Sequence, residues 1–60
     1  MAWLAVDKDG TETIFSGEPF RDGDIWRPSY QYDQCVDIPK GTIKKILGHI
    51  LTWKDKSVEI

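Results

Sequence analysis

Ile38-Pro39-Lys40-Gly41-Thr42-Ile43-Lys44-Lys45-Ile46-Leu47-Gly48-His49-Ile50-Leu51 is the stretch whose apolar period decides the fold. Ile43, Ile46, Leu47 and Ile50 recur at i, i+3, i+4 and i+7, one stripe of an α-helix, while Lys40, Lys44 and Lys45 point elsewhere. Pro39 suits a helix start, where its missing N–H removes no bond, and Gly48 suits the left-handed residue that stops a helix. The spacing predicts a helix from Lys40 or Gly41 to Leu47. Thr42 is an alternative N-cap that would shorten it by a turn. Lys44, Lys45 and His49 then lie toward the negative end of the helix dipole.

Trp3 to Val6 and Thr11 to Ser16 read as strands, short, rich in aromatic or β-branched residues, and bounded by turn residues. Between them Asp7-Lys8-Asp9-Gly10 supplies hairpin chemistry, with Gly10 able to take positive φ at a bulge. If Asp7 closes the loop opposite Thr11, Leu4 faces Ile14 and Trp3 faces Phe15 on the opposite side. Both faces then carry large apolar groups, and a single helix covers only one. The same tetrapeptide fails as a calcium loop. Placing Asp7, Asp9 and Gly10 at loop positions three, five and six puts Ser16 where a bidentate Glu is needed and Ala5 at the first ligand.

Ser16 to Gln34 is punctuated by Gly17, Pro19, Gly23 and Pro28, and reads as irregular apart from a tight turn at Asp22-Gly23-Asp24 and a short strand at Ile25-Trp26-Arg27. Tyr30 and Tyr32 share a side if extended, and are expected to cover the hairpin's second face. Gln34 to Ile38 alternates as a strand feeding the helix, with Val36 and Ile38 on one face and Cys35 a half-buried filler. Leu51-Thr52-Trp53 reads as a last strand or its start, and Lys54-Asp55-Lys56 as a turn. The alternating end Ser57 to Ile60 is expected to pair with Trp53 or with the hairpin edge.

The expected fold is α+β: a single small domain over residues 1–60, with a small antiparallel sheet (an N-terminal β-hairpin plus one to three short strands) and one α-helix packed on one face. Ile43, Ile46 and Leu47 are expected to meet Leu4, Ile14, Val36 and Trp53. A chain of 60 residues lies near the lower limit for folding without staples, but 40% hydrophobic residues and three tryptophans argue against disorder. One cysteine and one histidine build neither an internal disulfide nor a metal cage. That cysteine usage points to a reducing cytoplasm. Asp7 cuts the first apolar run too early for a signal peptide, and no run reaches the length of a membrane span, so no membrane association is expected.

Two pieces together, Trp3-Leu4-Ala5-Val6-Asp7-Lys8-Asp9-Gly10-Thr11-Glu12 and Pro39-Lys40-Gly41-Thr42-Ile43 through Gly48 with Leu51-Thr52-Trp53, resemble very short uncharacterised bacterial proteins of prophage or mobile-element type. The resemblance covers about half of the chain. It implies a short phage-like accessory protein and brings no catalytic residue.

Catalysis and cofactor binding are not expected. His49 reads as a solvated side chain past the helix stop, Cys35 has Asp33 and Asp37 near it to disfavour a thiolate, and Pro39-Lys40-Gly41-Thr42 lacks the glycines of a phosphate loop. Two binding readings remain. Surplus aromatics, with Trp3, Phe15, Trp26, Tyr30 and Tyr32 as interaction candidates, favour a protein partner or self-association. The alternative is nucleic acid. Net charge is −2, yet residues 1–39 hold eight acidic against three basic side chains and residues 40–60 hold two acidic against five basic. Lys40, Lys44, Lys45, Lys54 and Lys56 would meet phosphates, and Trp53 would stack on a base. The blander expectation is that the two halves attract each other.

Overall fold

Strand β1 (Trp3–Val6) is the centre of the fold in the computed structural model, which describes residues 2–60. It pairs antiparallel with β2 (Glu12–Phe15) on one side and with the short C-terminal β6 (Val58–Glu59) on the other. Strand β5 (Cys35–Ile38) pairs with the outer side of β2, giving the sheet order β5-β2-β1-β6. A separate two-stranded sheet joins β3 (Pro19–Asp22) to β4 (Ile25–Pro28), and one helix, α1, spans Thr42–Leu47.

The hairpin forms in the expected register, with Leu4 opposite Ile14 and Trp3 opposite Phe15. Asp7 N–H donates to Thr11 O at 2.9 Å, and Gly10 sits at φ 90°, a conformation that residues with a Cβ rarely adopt. Asp9 accepts from Thr11 N–H at 2.9 Å. That bond, more than the Thr11 hydroxyl, lowers the Asp9 pKa. A second turn repeats the device: Asp55 accepts from Thr52 N–H at 2.8 Å and from its hydroxyl at 3.1 Å, and its pKa is lowered for the same reason.

Alternation along the strands separates two faces. Leu4 and Val6 cluster with Ile43 of α1 and with Leu51, and Ile14, Ile38, Leu47, Trp53 and Val58 pack against them. On the opposite face Ala5, Thr13 and Phe15 are buried, Phe15 to 1% exposure. Phe15 is therefore core, and is withdrawn as a surface for a partner.

The helical stripe closes less than its sequence promises. Ile43 is buried, Leu47 half-buried, and Ile46 and Ile50 are 49% and 67% exposed. Six residues make under two turns, and Gly48 at φ 81° stops the helix before Ile50 can join the stripe. Val36, expected in the core, is 61% exposed: it stands on edge strand β5 outside the core cluster, whereas Ile38 on the same strand packs against it. Cys35 is exposed rather than half-buried. Leu51 to Trp53 is not a strand, although Leu51 is buried, and β6 pairs with the hairpin edge.

Residues 16–34 are more ordered than their prolines suggest. Pro19 and Pro28 face each other at the open end of the β3–β4 hairpin, whose tight turn holds Gly23 at φ 64°. Counting from that turn, the proline pair falls at a position without ladder bonds, so neither ring removes one. The hairpin is tied to β1 by Trp26, whose indole N–H donates to Val6 O at 3.0 Å and whose backbone N–H donates to Asp7 Oδ1 at 2.9 Å. Tyr30 and Tyr32 do not cover the second face. They are 74% and 86% exposed, in a turn closed by Asp33 N–H donating to Tyr30 O at 3.0 Å.

Two contacts that sequence reading does not anticipate join the acidic front to the basic back. The Glu12 carboxylate accepts from Gly41 N–H at 2.8 Å and from Ile43 N–H at 2.9 Å, capping α1 from a strand. The Arg21 guanidinium lies 4.8 Å from the Trp26 ring centroid and 5.0 Å from that of Trp53, and donates to Asp55 O at 3.1 Å. The halves meet through such bonds rather than ion pairs. Among the described residues the ion pairs, Lys8–Asp24 at 3.9 Å and Arg27–Asp22 at 2.7 Å, both lie within the front.

Candidate functional site

Sheet edges differ in what they offer a partner, and hydrogen-bond parity sorts them. Ser16 N–H donates to Gln34 O at 2.9 Å, which fixes Ser16/Gln34 as a bonded pair. Stepping by two along the ladder, Ile14/Val36 and Glu12/Ile38 are bonded pairs as well. Gln34, Val36 and Ile38 therefore spend their backbone groups on β2. The N–H and C=O groups of Cys35 and Asp37 point away from the sheet.

The other edges are blunted. β6 has two residues and presents the charged Glu59. On β4 the outward Trp26 N–H is taken by Asp7, and on β3 the charged residues Arg21 and Asp22 follow a proline that has no N–H. β5 is the edge left open.

An apolar groove adjoins it. Ala2, Ile14, Ser16, Gln34 and Val36 share the face of Leu4. With Phe15 and Cys35 they bound an open depression of about 220 Å3. Val36 is its exposed apolar rim and Asp37 the charge on the strand's other face, where it accepts from the Thr13 hydroxyl at 3.2 Å. A row of unpaired backbone groups beside an apolar groove is the geometry that accepts an added strand.

The sequence-derived candidates do not gather at this edge. Trp3 and Trp26 are half-buried, and Trp26 is committed to β1 and Arg21. Tyr30 and Tyr32 are exposed in the turn that leads into β5. Lys44 and Lys45 are exposed on α1, Lys54 and Lys56 are exposed beyond Trp53, and Lys40 Nζ donates to Asp9 O at 3.4 Å. Trp53 is half-buried, with Arg21 at its ring and Lys8 Nζ 5.8 Å from the same centroid, so its indole is occupied by the protein's own cations. His49 is exposed, its Nδ1 3.3 Å from Ile50 O. Among the described residues no group of three or more His, Cys, Asp or Glu side chains is placed to hold a metal, and no helix is long and apolar enough to cross a membrane.

Cys35, Val36 and Asp37 escaped notice as an interaction site because their value lies in the backbone. Alternation around Val36 marks a strand, but only the pairing order shows that the strand is an edge. Comparison with protein-family models, with curated proteins and with solved structures returns no match for this chain.

Proposed function

We propose that this chain is a small, non-catalytic protein-interaction module that takes an added β-strand on β5. The observation that carries the proposal is the pair of outward backbone positions, Cys35 and Asp37, flanking exposed Val36 beside the apolar groove. Main-chain hydrogen bonds would supply affinity, and the groove would select an apolar side chain. A reducing cytoplasm suits the exposed Cys35 thiol on this edge, and a phage-type accessory or adaptor is the role proposed for the module.

Selection from a random peptide library on the immobilised protein tests this, with Val36→Lys as counter-target. Enriched peptides added to labelled protein should protect the Cys35 and Asp37 amides from exchange. Peptides that bind the Val36→Lys variant equally well, or that shift other surfaces, would overturn the assignment.

The nucleic-acid reading draws on Lys40, Lys44, Lys45, Lys54 and Lys56 and, with Trp53 flanked by cations, retains charge without a stacking platform. A salt-sensitive shift of those lysine positions on adding oligonucleotides, with Cys35 and Asp37 unmoved, would favour it over strand addition.

A further inference from the structure

We infer that the strand β5 takes is β5 of a second copy, running antiparallel with Val36 opposite the partner's Val36 on a two-fold axis. The inference rests on the reading of β5 as an acceptor edge and names its occupant.

Self-complementarity carries it. In this register Cys35 lies opposite the partner's Asp37, and Asp37 opposite the partner's Cys35. Both residues turn their N–H and C=O outward, so each opposed pair exchanges two hydrogen bonds and no outward group of β5 is left unmade. Neighbouring registers of the same parity fail. Centring the pair on Asp37 sets two carboxylates directly opposite and brings Cys35 against Pro39, which has no N–H to give. Centring it on Cys35 sets Asp37 opposite the partner's Asp33, again like against like. Only the Val36 register sets no two carboxylates opposite and keeps Pro39 clear of the paired β5 residues, opposing it to a position outside the strand.

The exposed side chain agrees. Val36 and its symmetry mate form a non-bonded pair with Cα atoms about 4.5 Å apart, the closest kind of cross-strand contact, and cover apolar surface that is 61% exposed in one copy. The flanking charges face the same copy, Asp33 lying against Gly17 and Lys40 Nζ donating to Asp9 O, so neither opposes the pairing. A foreign peptide would require none of this symmetry. The product is one continuous sheet in the order β6-β1-β2-β5-β5-β2-β1-β6, which removes the open edge of each copy and enlarges a small core.

Amide exchange of the labelled full chain, at about 10 μM and about 1 mM, reads the pairing directly. Cys35 and Asp37 amides should become at least about ten-fold more protected at the higher concentration, while Val36 and Ile38, bonded to β2 in the single copy, should not change. Cross-linking reads the register. Val36→Cys in a Cys35→Ser background should give a disulfide dimer under mild oxidation. Wild-type Cys35 should not, since the diagonal separation is about 7–8 Å, beyond disulfide reach. Unchanged β1–β2 hairpin amide shifts confirm that each variant is folded.

A chain that stays monomeric at the higher concentration, with fast exchange at Cys35 and Asp37, overturns the second-copy occupant. If library peptides still protect those two amides, the acceptor edge stands with a foreign strand in place. If they do not, both readings fall. A dimer linked through Cys35 as readily as through Val36→Cys refutes the register.

Discussion

Glu12→Gln is the substitution that best separates a capped helix from one held by packing alone. Glu12 stands on β2, yet its two carboxylate oxygens accept the N–H groups of Gly41 and Ile43 at 2.8 and 2.9 Å. Those are among the donors that a helix N-terminus leaves unpaired, and α1 has no side-chain cap of its own at Gly41. Glutamine keeps the length but offers one oxygen, turning an NH2 group toward the other N–H. A hydrogen bond to a charged group contributes about 1.5–3 kcal/mol, with the half-exposed setting favouring the lower figure. The lost charge near the helix N-terminus adds about 0.3–1 kcal/mol. The sum is about 2 kcal/mol, from a domain whose size implies a total of about 3–9 kcal/mol. With a urea dependence of about 1 kcal/mol per molar, the midpoint should fall by about 2 M. Equilibrium urea unfolding at neutral pH, followed by tryptophan fluorescence, measures the shift, with Glu59→Gln at an exposed edge as the unaffected control. A Glu12→Gln midpoint equal to that of the wild type would refute the cap.

Four further outcomes follow from the packing and the turns. Ile43→Ala should cost about 2–5 kcal/mol, and Ile46→Ala, on the same helix but 49% exposed, about 0.5 kcal/mol; equal shifts in thermal midpoint would mean that α1 is rotated from the position described. A methyl group at Gly17 would stand 2.7 Å from Asp33 Oδ2, so Gly17→Ala should cost about 1–3 kcal/mol by denaturant titration and most of that loss should vanish in an Asp33→Ala background. Arg21→Ala should lose about 1–2 kcal/mol with both cation–π contacts, and Arg21→Lys should recover only part, since ammonium lacks the flat guanidinium that two rings can face. Asp9 and Asp55 have lowered folded pKa values, so their contribution is complete above the unfolded aspartate value and fades as pH falls through the folded ones; Asp55→Asn should flatten the acid limb of a stability–pH curve, and an unchanged limb would show that the Thr52 contacts do not couple to folding.

Local chemistry made part of this fold legible. The first hairpin could be read to its register because Asp7, Asp9 and Gly10 dictate their own turn, and Gly48 announced the helix stop for the same kind of reason. What escaped was set by distant partners. The prolines at 19 and 28 look like strand breakers until each is seen facing the other at an unbonded position. Ile46 and Ile50 satisfy the helical period, but period alone does not reveal that the helix is too short to bury them. Glu12 reads as the polar face of a strand, and Arg21 as a loop cation, because their targets lie about thirty residues away. The candidate edge was hidden for a related reason. Tyr30 and Tyr32 attract notice as bulky aromatics, whereas Cys35 and Asp37 matter through main-chain atoms that every residue possesses.

The sheet order has a consequence for the chain as it is made. β1 is synthesised well before its outer neighbour β6, which is formed by Val58 and Glu59. Between the appearance of Phe15 and that of Val58 lie roughly forty residues, a delay of about 2–9 s at ribosomal speed. A hairpin of β1 and β2 that forms before Val58 is in place presents a bare β1 flank beside Leu4, as well as the β2 flank that β5 later occupies. Vectorial synthesis thus exposes the very strand that the finished fold protects best.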